Sequence, residues 1–443
     1  MNVLFVSLGC DKNLVDSEKM LAILAGSGYT ITDDETAADV IIINTCCFIN
    51  DARDESISSI IEMSKFRREG PCRALIVTGC LAQRYQQEIL DEIPEVDAVL
   101  GTSSPDRIAQ AVEEALDAHR VKFLDDIDRP ISISSERMVT TGGHYAYLKI
   151  AEGCNKRCTY CIIPSLRGSY RSVPMESLME EARSLADKGV KELILVAQET
   201  TLYGVDLYGE KRLHLLVKEL AKIPGLYWIR LLYCYPEEIY DDLIETIASE
   251  PKCCHYLDIP IQHCNNEILR RMGRRTSKED IISLIGTLRE KIPDIVIRTS
   301  LITGFPGETR QQHEELMDFI DEMEFDRLGV FPYSREDGTK AALMDGQLDE
   351  EEKNARRDEL MQLQQEISLD LNRDRIGREL TVMVEGKAVD EDVYVCRTYA
   401  DAPDVDSYLF LNTEMQLVSG DFLKARVTEA GEYDLIGVPS EEY

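Results

Sequence analysis

The chain has 443 residues and no apolar run approaching the ~18 residues of a membrane span. No transmembrane helix is expected, and the reading has no membrane partner. There is no low-complexity tract and no short-period repeat, so fibrous and solenoid classes drop out and a globular chain of two or three domains remains. Basic residues are scarce: 49 Lys and Arg stand against 82 Asp and Glu, for a formal charge of −33. Such a surface repels phosphate backbones. It argues against a nucleic-acid partner and for a basic one, although a generally acidic proteome gives the same balance. The amino-terminal MNVLFVSLGC ends on Gly-Cys as a lipoprotein signal does, but it lacks a basic start and its apolar run is too short. It reads as a first β-strand, and a cytoplasmic protein is expected. In a reducing compartment the 13 cysteines do not suit a disulfide framework. Metal binding or catalysis is the expected use.

Residues 1 to about 117 alternate strand and helix. Val3–Leu8, Val40–Asn44 and Leu75–Thr78 are short β-branched runs, and helical patterns occupy Leu14–Ala25, Ser56–Arg68 and Ser104–Ala118. This rhythm predicts a doubly wound α/β domain over 1–118. Residues 119–139 lose it and read as a linker. Over 140–371, six strand patterns (Tyr145–Ile150, Glu192–Ala197, Trp228–Leu232, Tyr256–Ile259, Ile295–Ile302, Leu328–Pro332) alternate with helical stretches and end in a charged helix, Asp349–Arg375. Six βα units predict a partial β/α barrel, since eight close the usual form. Residues 372–443 carry short strands at hairpin spacing and predict a small all-β, OB-like Greek-key barrel. Residues 376–443 hold 15 acidic and 5 basic residues, so this appendix shares the acidity.

The chemistry-bearing residues are cysteines. VLFVSLGC, VIIINTC and ALIVTGC each end a strand pattern in a cysteine: Cys10, Cys46 and Cys80. Strand ends of a parallel sheet share one edge, where ligands bind. Three thiols far apart in sequence can therefore converge. The competing reading is three buried cysteines acting as small hydrophobes. Cys47 points the opposite way on an extended chain and is left out of the set.

A second trio, Cys154, Cys158 and Cys161, lies within eight positions in GCNKRCTYCIIP, after the first barrel strand and on the face where such barrels hold their sites. Close cysteines in a loop can share an iron cluster. A zinc site would need a fourth ligand nearby, and no Cys or His falls between Cys161 and His214.

CxxxCxxC after a first strand, with Tyr160 before the last cysteine, resembles the radical S-adenosylmethionine superfamily. The likeness extends over nearly the whole chain. SLGCDKNLVDSE, NTCCFI and VTGCLAQRY resemble the amino-terminal domain of the methylthiotransferases. EGCNKRCTYCIIPSLRG, TSLITGFPGET and FPYSREDGT resemble their radical core, and the C-terminal barrel their TRAM domain. RLLYCYPEEI and LDIPIQHCNNEILRRMGR are similar to the RimO branch, which modifies ribosomal protein S-twelve. The tRNA-modifying, MiaB-like branch usually has Ser-His-Pro where this chain has Tyr233–Pro236, Cys-Tyr-Pro after an aromatic, and it remains the alternative. A tRNA-binding TRAM domain should be basic, whereas an acidic one suits a basic ribosomal protein.

The resemblance implies that Cys154, Cys158 and Cys161 hold one 4Fe-4S cluster and Cys10, Cys46 and Cys80 a second, each with an open iron. It implies two molecules of S-adenosylmethionine. One methylates a sulfur and the other yields a 5′-deoxyadenosyl radical. The implied product is a methylthio group on the β-carbon of an aspartate, and the implied electron donor is a flavodoxin or ferredoxin. Around the barrel mouth, Gln198, Tyr235, Gln262, His263, Arg298 and Ser334 stand at strand ends. Arg298 is a candidate for the methionyl carboxylate, Tyr160 for the adenine, and Gln198 for the cofactor generally; ordinary loop hydrogen bonding is the competing role for each. His263 reads as structural or substrate-loop rather than as a ligand. Gly304–Gly307 reads as a tight turn, with backbone approach to the cofactor as the alternative. Cys47, Cys72, Cys234, Cys253, Cys254, Cys264 and Cys396 read as packing residues. A non-catalytic electron carrier is the competing class, and it needs neither a barrel nor two cysteine trios.

Overall fold

The computed structural model describes residues 1–117, 119–133, 136–389 and 392–440. Strands β1 (Asn2–Ser7), β2 (Thr30–Thr32), β3 (Val40–Thr45), β4 (Ala74–Gly79), β5 (Ala98–Leu100) and β6 (Val121–Phe123) form a parallel sheet in the order β2-β1-β3-β4-β5-β6. Every residue of β3 and β4 is buried, as continuous apolar runs in a sheet covered on both faces require. Helices Asp11–Gly26, Asn50–Glu69, Cys80–Glu92 and Ile108–Leu116 supply the cover. The last of these buries Ile108, Ala111, Val112 and Ala115, one stripe at helical spacing. Ser7 pairs in register with Asn44, and Asn44 with Thr78, so β1, β3 and β4 end at one level.

Helix Cys80–Glu92 and strands β5 and β6 were not legible from periodicity. β6 uses three residues of the stretch that reads as a linker, and it pairs with β5 as the sheet's last strand. The expected end of the first domain, residue 118, lies outside the described residues.

The second sheet contains β7 (Tyr145–Lys149), then, after a short hairpin of β8 (Ala151–Glu152) and β9 (Arg171–Ser172), β10 (Glu192–Val196), β11 (Trp228–Leu231), β12 (Cys253–Asp258), β13 (Val296–Thr303) and β14 (Arg327–Pro332). All neighbours are parallel and the order is β14-β13-β12-β11-β10-β7. The sheet stays open at six strands. Helices Met175–Asp187, Leu213–Ala221, Asp241–Ser249, Lys278–Lys291, Arg310–Met323 and Glu350–Arg373 pack on it around the largest hydrophobic core.

The last unit is a closed five-strand barrel of β15 (Glu379–Lys387), β16 (Val393–Thr398), β17 (Leu409–Asn412), β18 (Phe422–Ala430) and β19 (Leu435–Pro439), with only β17 and β19 parallel. It docks through a fully buried charge group. Glu192 accepts from Arg230 Nε at 2.7 Å and contacts Arg397 Nη2 at 2.7 Å. Lys191 Nζ donates to the Gly420 carbonyl at 2.7 Å, and Phe422 meets Trp228 edge-on with ring centres 4.8 Å apart.

Arg137, in the connection between the first two sheets, joins them. It is buried, donates to Glu18 at 2.8 Å and to Glu181 at 2.9 Å, and so clasps a helix from each unit.

Candidate functional site

The carboxyl edge of the first sheet carries one cysteine trio. Cys10 directly precedes helix Asp11–Gly26, Cys46 follows β3, and Cys80 opens the helix after β4. Because the three strands end in register, the thiols lie within electrostatic reach of one another. Burial, then the neighbouring Cys80, pushes the Cys46 thiol up to about 12. Burial also raises Cys80, against the pull of the Arg167 cation. Thiols raised in this way stay protonated until a metal displaces the protons. Gly9, at φ +88°, makes the approach possible: a Cβ there would stand 2.6 Å from Cys46 Cβ.

Ser56 then holds the backbone of Cys46, accepting from its N–H at 3.0 Å and donating to its carbonyl at 2.8 Å. Asn13 donates to the carbonyls of Leu8 and Thr45 at 3.0 and 2.9 Å and ties the ends of β1 and β3. Cys47 is fully buried in the core under this edge.

The second trio occupies the loop after β8. Gly153, at φ +80°, passes so close to the Ser169 carbonyl that a Cβ would lie 2.1 Å from its oxygen. Gln198, at the end of β10, accepts from the Gly153 N–H and donates to Glu152, both at 3.0 Å, and so fixes the entry to Cys154. Cys154 receives the Lys156 N–H at 3.5 Å, and Cys158 Sγ stands 4.0 Å from Tyr235 Oη. Thr159 N–H donates to the Met272 carbonyl at 2.9 Å, which anchors the loop on helix Asn266–Met272. Burial pushes Cys154 up to about 11 and Cys161 up to about 12, with the neighbouring thiols adding to both.

Tyr160 is half-buried beside Cys158, and burial raises its phenol. Among the described residues no three His, Cys, Asp or Glu side chains gather tightly enough for one metal ion.

Several residues at this mouth carry no motif-level signal. Arg274 is buried, its guanidinium stacks 4.2 Å over the Tyr235 ring, and its Nε and Nη1 have no hydrogen-bond partner among the described residues. Glu199 is fully buried near Cys154, and burial pushes its carboxyl up to about 7. Lys12 lies 3.3 Å over the ring of Tyr233, which itself sits at φ +59°. Lone charged residues have no periodicity of their own, so only the fold exposes their company.

Of the other strand-end residues, Arg298 is committed elsewhere. It pairs with Asp258 at 2.8 Å and with Asp406 of the C-terminal unit at 3.4 Å. His263 is fully buried, accepts from the Asn265 N–H at 2.9 Å, and burial pushes it down to about 3, so it is neutral. Gln262 bridges to Leu301, and Ser334 accepts from the Asn50 N–H at 3.2 Å. Gly304–Gly307 is a turn whose first two N–H groups reach Glu308. The cysteines at 72, 234, 253, 254, 264 and 396 are buried.

Family comparison matches residues 2–101 to Uncharacterized protein family UPF0004, 148–320 to the Radical SAM superfamily and 376–439 to the TRAM domain. The chain is 56% identical over 99% of both chains to ribosomal protein uS12 methylthiotransferase RimO of Lachnoclostridium phytofermentans. It is 51% identical to the protein of that name from Pelotomaculum thermopropionicum, over 98% of each. Among solved structures, the radical S-adenosylmethionine methyltransferase TsrM from Kitasatospora setae superposes with a TM-score of 0.54 at 16% identity, over 74% of this chain and 72% of that one. The cobalamin-dependent S-adenosylmethionine radical enzyme OxsB gives 0.52 at 14%, over 80% and 56%. These structural likenesses bear on the fold alone.

Proposed function

We infer that this chain, which belongs to the RimO family of ribosomal protein uS12 methylthiotransferases, attaches a methylthio group to the β-carbon of an aspartate of uS12. The observation that carries the reading is the presence of two cysteine trios, one on the carboxyl edge of each parallel sheet. The donor sets fit the cofactor class. Each offers three mutually coupled thiols, which leave one iron of a 4Fe-4S cluster open. Cys154, Cys158 and Cys161 would hold a cluster that would supply reductive cleavage of S-adenosylmethionine, and Cys10, Cys46 and Cys80 would hold one that would supply sulfur for transfer.

The chain's residues bind, orient and shield. Gln198 holds the Gly153 turn and with it the Cys154 thiol. Tyr160 and Tyr235 wall the loop against water. Arg274, with two buried N–H groups unpartnered, is the cation free to take the methionyl carboxylate; Arg298 already serves two carboxylates. Residues 1–118 and 140–371 divide the two sites between them, and 372–443 form an acidic appendage suited to a basic ribosomal protein. Two S-adenosylmethionine molecules are consumed per turnover, a flavodoxin or ferredoxin supplies electrons, and the work takes place in the cytoplasm.

The test is the mass of the aspartate-bearing uS12 peptide after gene deletion, where a loss of about 46 mass units, one sulfur and one methylene, is expected. An unchanged peptide alongside a tRNA adenosine that loses its methylthio group would move the substrate to tRNA. Failure of the reconstituted protein to form 5′-deoxyadenosine with S-adenosylmethionine and a reductant would remove the radical reading.

A further inference from the structure

One side chain belongs to the loop of one cysteine trio and touches a thiol of the other. Arg167 ends the short helix Ile163–Arg167, six residues after Cys161, and is 3% exposed. Its Nη2 reaches Cys80 Sγ at 3.6 Å and Asn13 Oδ1 at 2.5 Å. Its Nη1 donates to Asp16 at 2.7 Å and to Glu152 at 3.1 Å. Lys149 completes the group, bonded to Asp16 and, at 2.7 Å, to Glu152. Two cations and two carboxylates balance, so burial of the group is tolerable, whereas loss of one member leaves an uncompensated charge.

The group is oriented. The guanidinium faces Cys80, and the carboxylates lie on its other edge. Glu152 continues through Gln198 to the Gly153 N–H beside Cys154, and Asn13 continues to the ends of β1 and β3.

We propose that Arg167 is a positioning residue that hydrogen-bonds the Cys80 thiolate and raises the reduction potential of the cluster on the first sheet. The inference rests on the cluster reading above. Reduction adds one electron from a one-electron donor and breaks no bond. The added charge spreads onto the cysteine sulfurs, where a cationic N–H donor stabilises it; hydrogen bonds to the sulfurs are among the levers that set such potentials.

The experiment isolates each cluster. In a Cys154→Ala, Cys158→Ala, Cys161→Ala background only the first-sheet cluster is reconstituted, and its midpoint potential is read by electron paramagnetic resonance during dithionite titration. If that background binds no iron, the two-cluster reading has failed, whatever the role of Arg167. With iron bound, Arg167→Gln should give a more negative potential. The charge-balanced pair Arg167→Gln with Glu152→Gln protects folding and should still titrate below the background, because the sulfur donor is gone. In the reciprocal Cys10→Ala, Cys46→Ala, Cys80→Ala background, Arg167→Gln should move the remaining potential less. An unchanged potential in the charge-balanced pair overturns the proposal, as does an equal shift of both clusters. So does loss of iron from both folded Arg167 variants, which would make the residue one of assembly rather than of tuning.

Discussion

Glu192→Gln tests how the C-terminal barrel is fastened to the second sheet. Glu192, Arg230 and Arg397 are each 0% exposed. Burial pushes the Glu192 carboxyl up, but Arg397 and Arg230 together outweigh burial and hold it below its usual 4.5. Glutamine keeps the shape and removes the charge, leaving two buried guanidiniums without their shared counter-ion. Removing one partner of a buried pair costs about 3–5 kcal/mol. Arg230 retains the Tyr399 carbonyl at 2.6 Å, and Arg397 retains Glu385 at 2.7 Å and the Asp401 carbonyl at 3.0 Å, so the lower end, about 3 kcal/mol, is expected.

The assay is intrinsic. The single tryptophan, Trp228, lies on β11 against Phe422 of the barrel, so its fluorescence follows undocking. With a urea dependence of about 3 kcal/mol per molar, the tryptophan transition should move down by about 1 M. The difference should shrink in acid. A carboxyl with a lowered folded pKa stabilises the protein above its unfolded value, and that stability is lost as pH falls through the folded one. A shift below about 0.3 M near neutral pH, on the same urea dependence, would refute the view that this charge group fastens the barrel.

Four further outcomes are expected. Cys154→Ala should abolish 5′-deoxyadenosine formation, whereas Cys46→Ala should leave abortive cleavage without sulfur insertion; product chromatography separates them, and loss of insertion alone in both would overturn the division of roles. Gly153→Ala should prevent iron loading of the second trio, checked by iron content in the Cys10→Ala, Cys46→Ala, Cys80→Ala background, because its Cβ would stand 2.1 Å from a carbonyl oxygen. Ser56→Ala should cost about 1–3 kcal/mol by leaving buried Cys46 backbone groups unpaired, read from urea melts of the metal-free protein. Glu199, raised from 4.5 to about 7, should make stability fall as pH rises from about 4.5 to 7, by about 3 kcal/mol in all. Glu199→Gln should flatten that slope in pH-dependent melts, and an identical slope would refute the burial argument.

Much of the architecture was legible because it rests on periodicity. Val40–Thr45 and Ala74–Gly79 each open on four apolar residues and are buried along their whole length, as a sheet covered on both faces requires, and both stand within a residue of the sequence reading. Helix Lys278–Lys291 is one of the helical stretches expected between the barrel strands, and a Ser277–Asp280 capping box starts it. β5 and β6 escaped because three residues hold no period. The Arg298 expectation shows the limit of residue type as a guide: a strand-end arginine suits a carboxylate ligand, but Asp258 and Asp406 occupy it.

The sequence by itself determined the two parallel sheets, the closing barrel and the six cysteines that punctuate strand ends and one loop, because hydrophobic period and short-range spacing are written along the chain. The tertiary structure alone decided that Arg167 reaches Cys80, that Arg274 is buried without partners for two of its nitrogens, and that Glu192 is shared by two arginines. Each depends on burial and on partners dozens to hundreds of residues away. A charged side chain has no period of its own, and its role is set by which opposite charges the packed elements bring beside it.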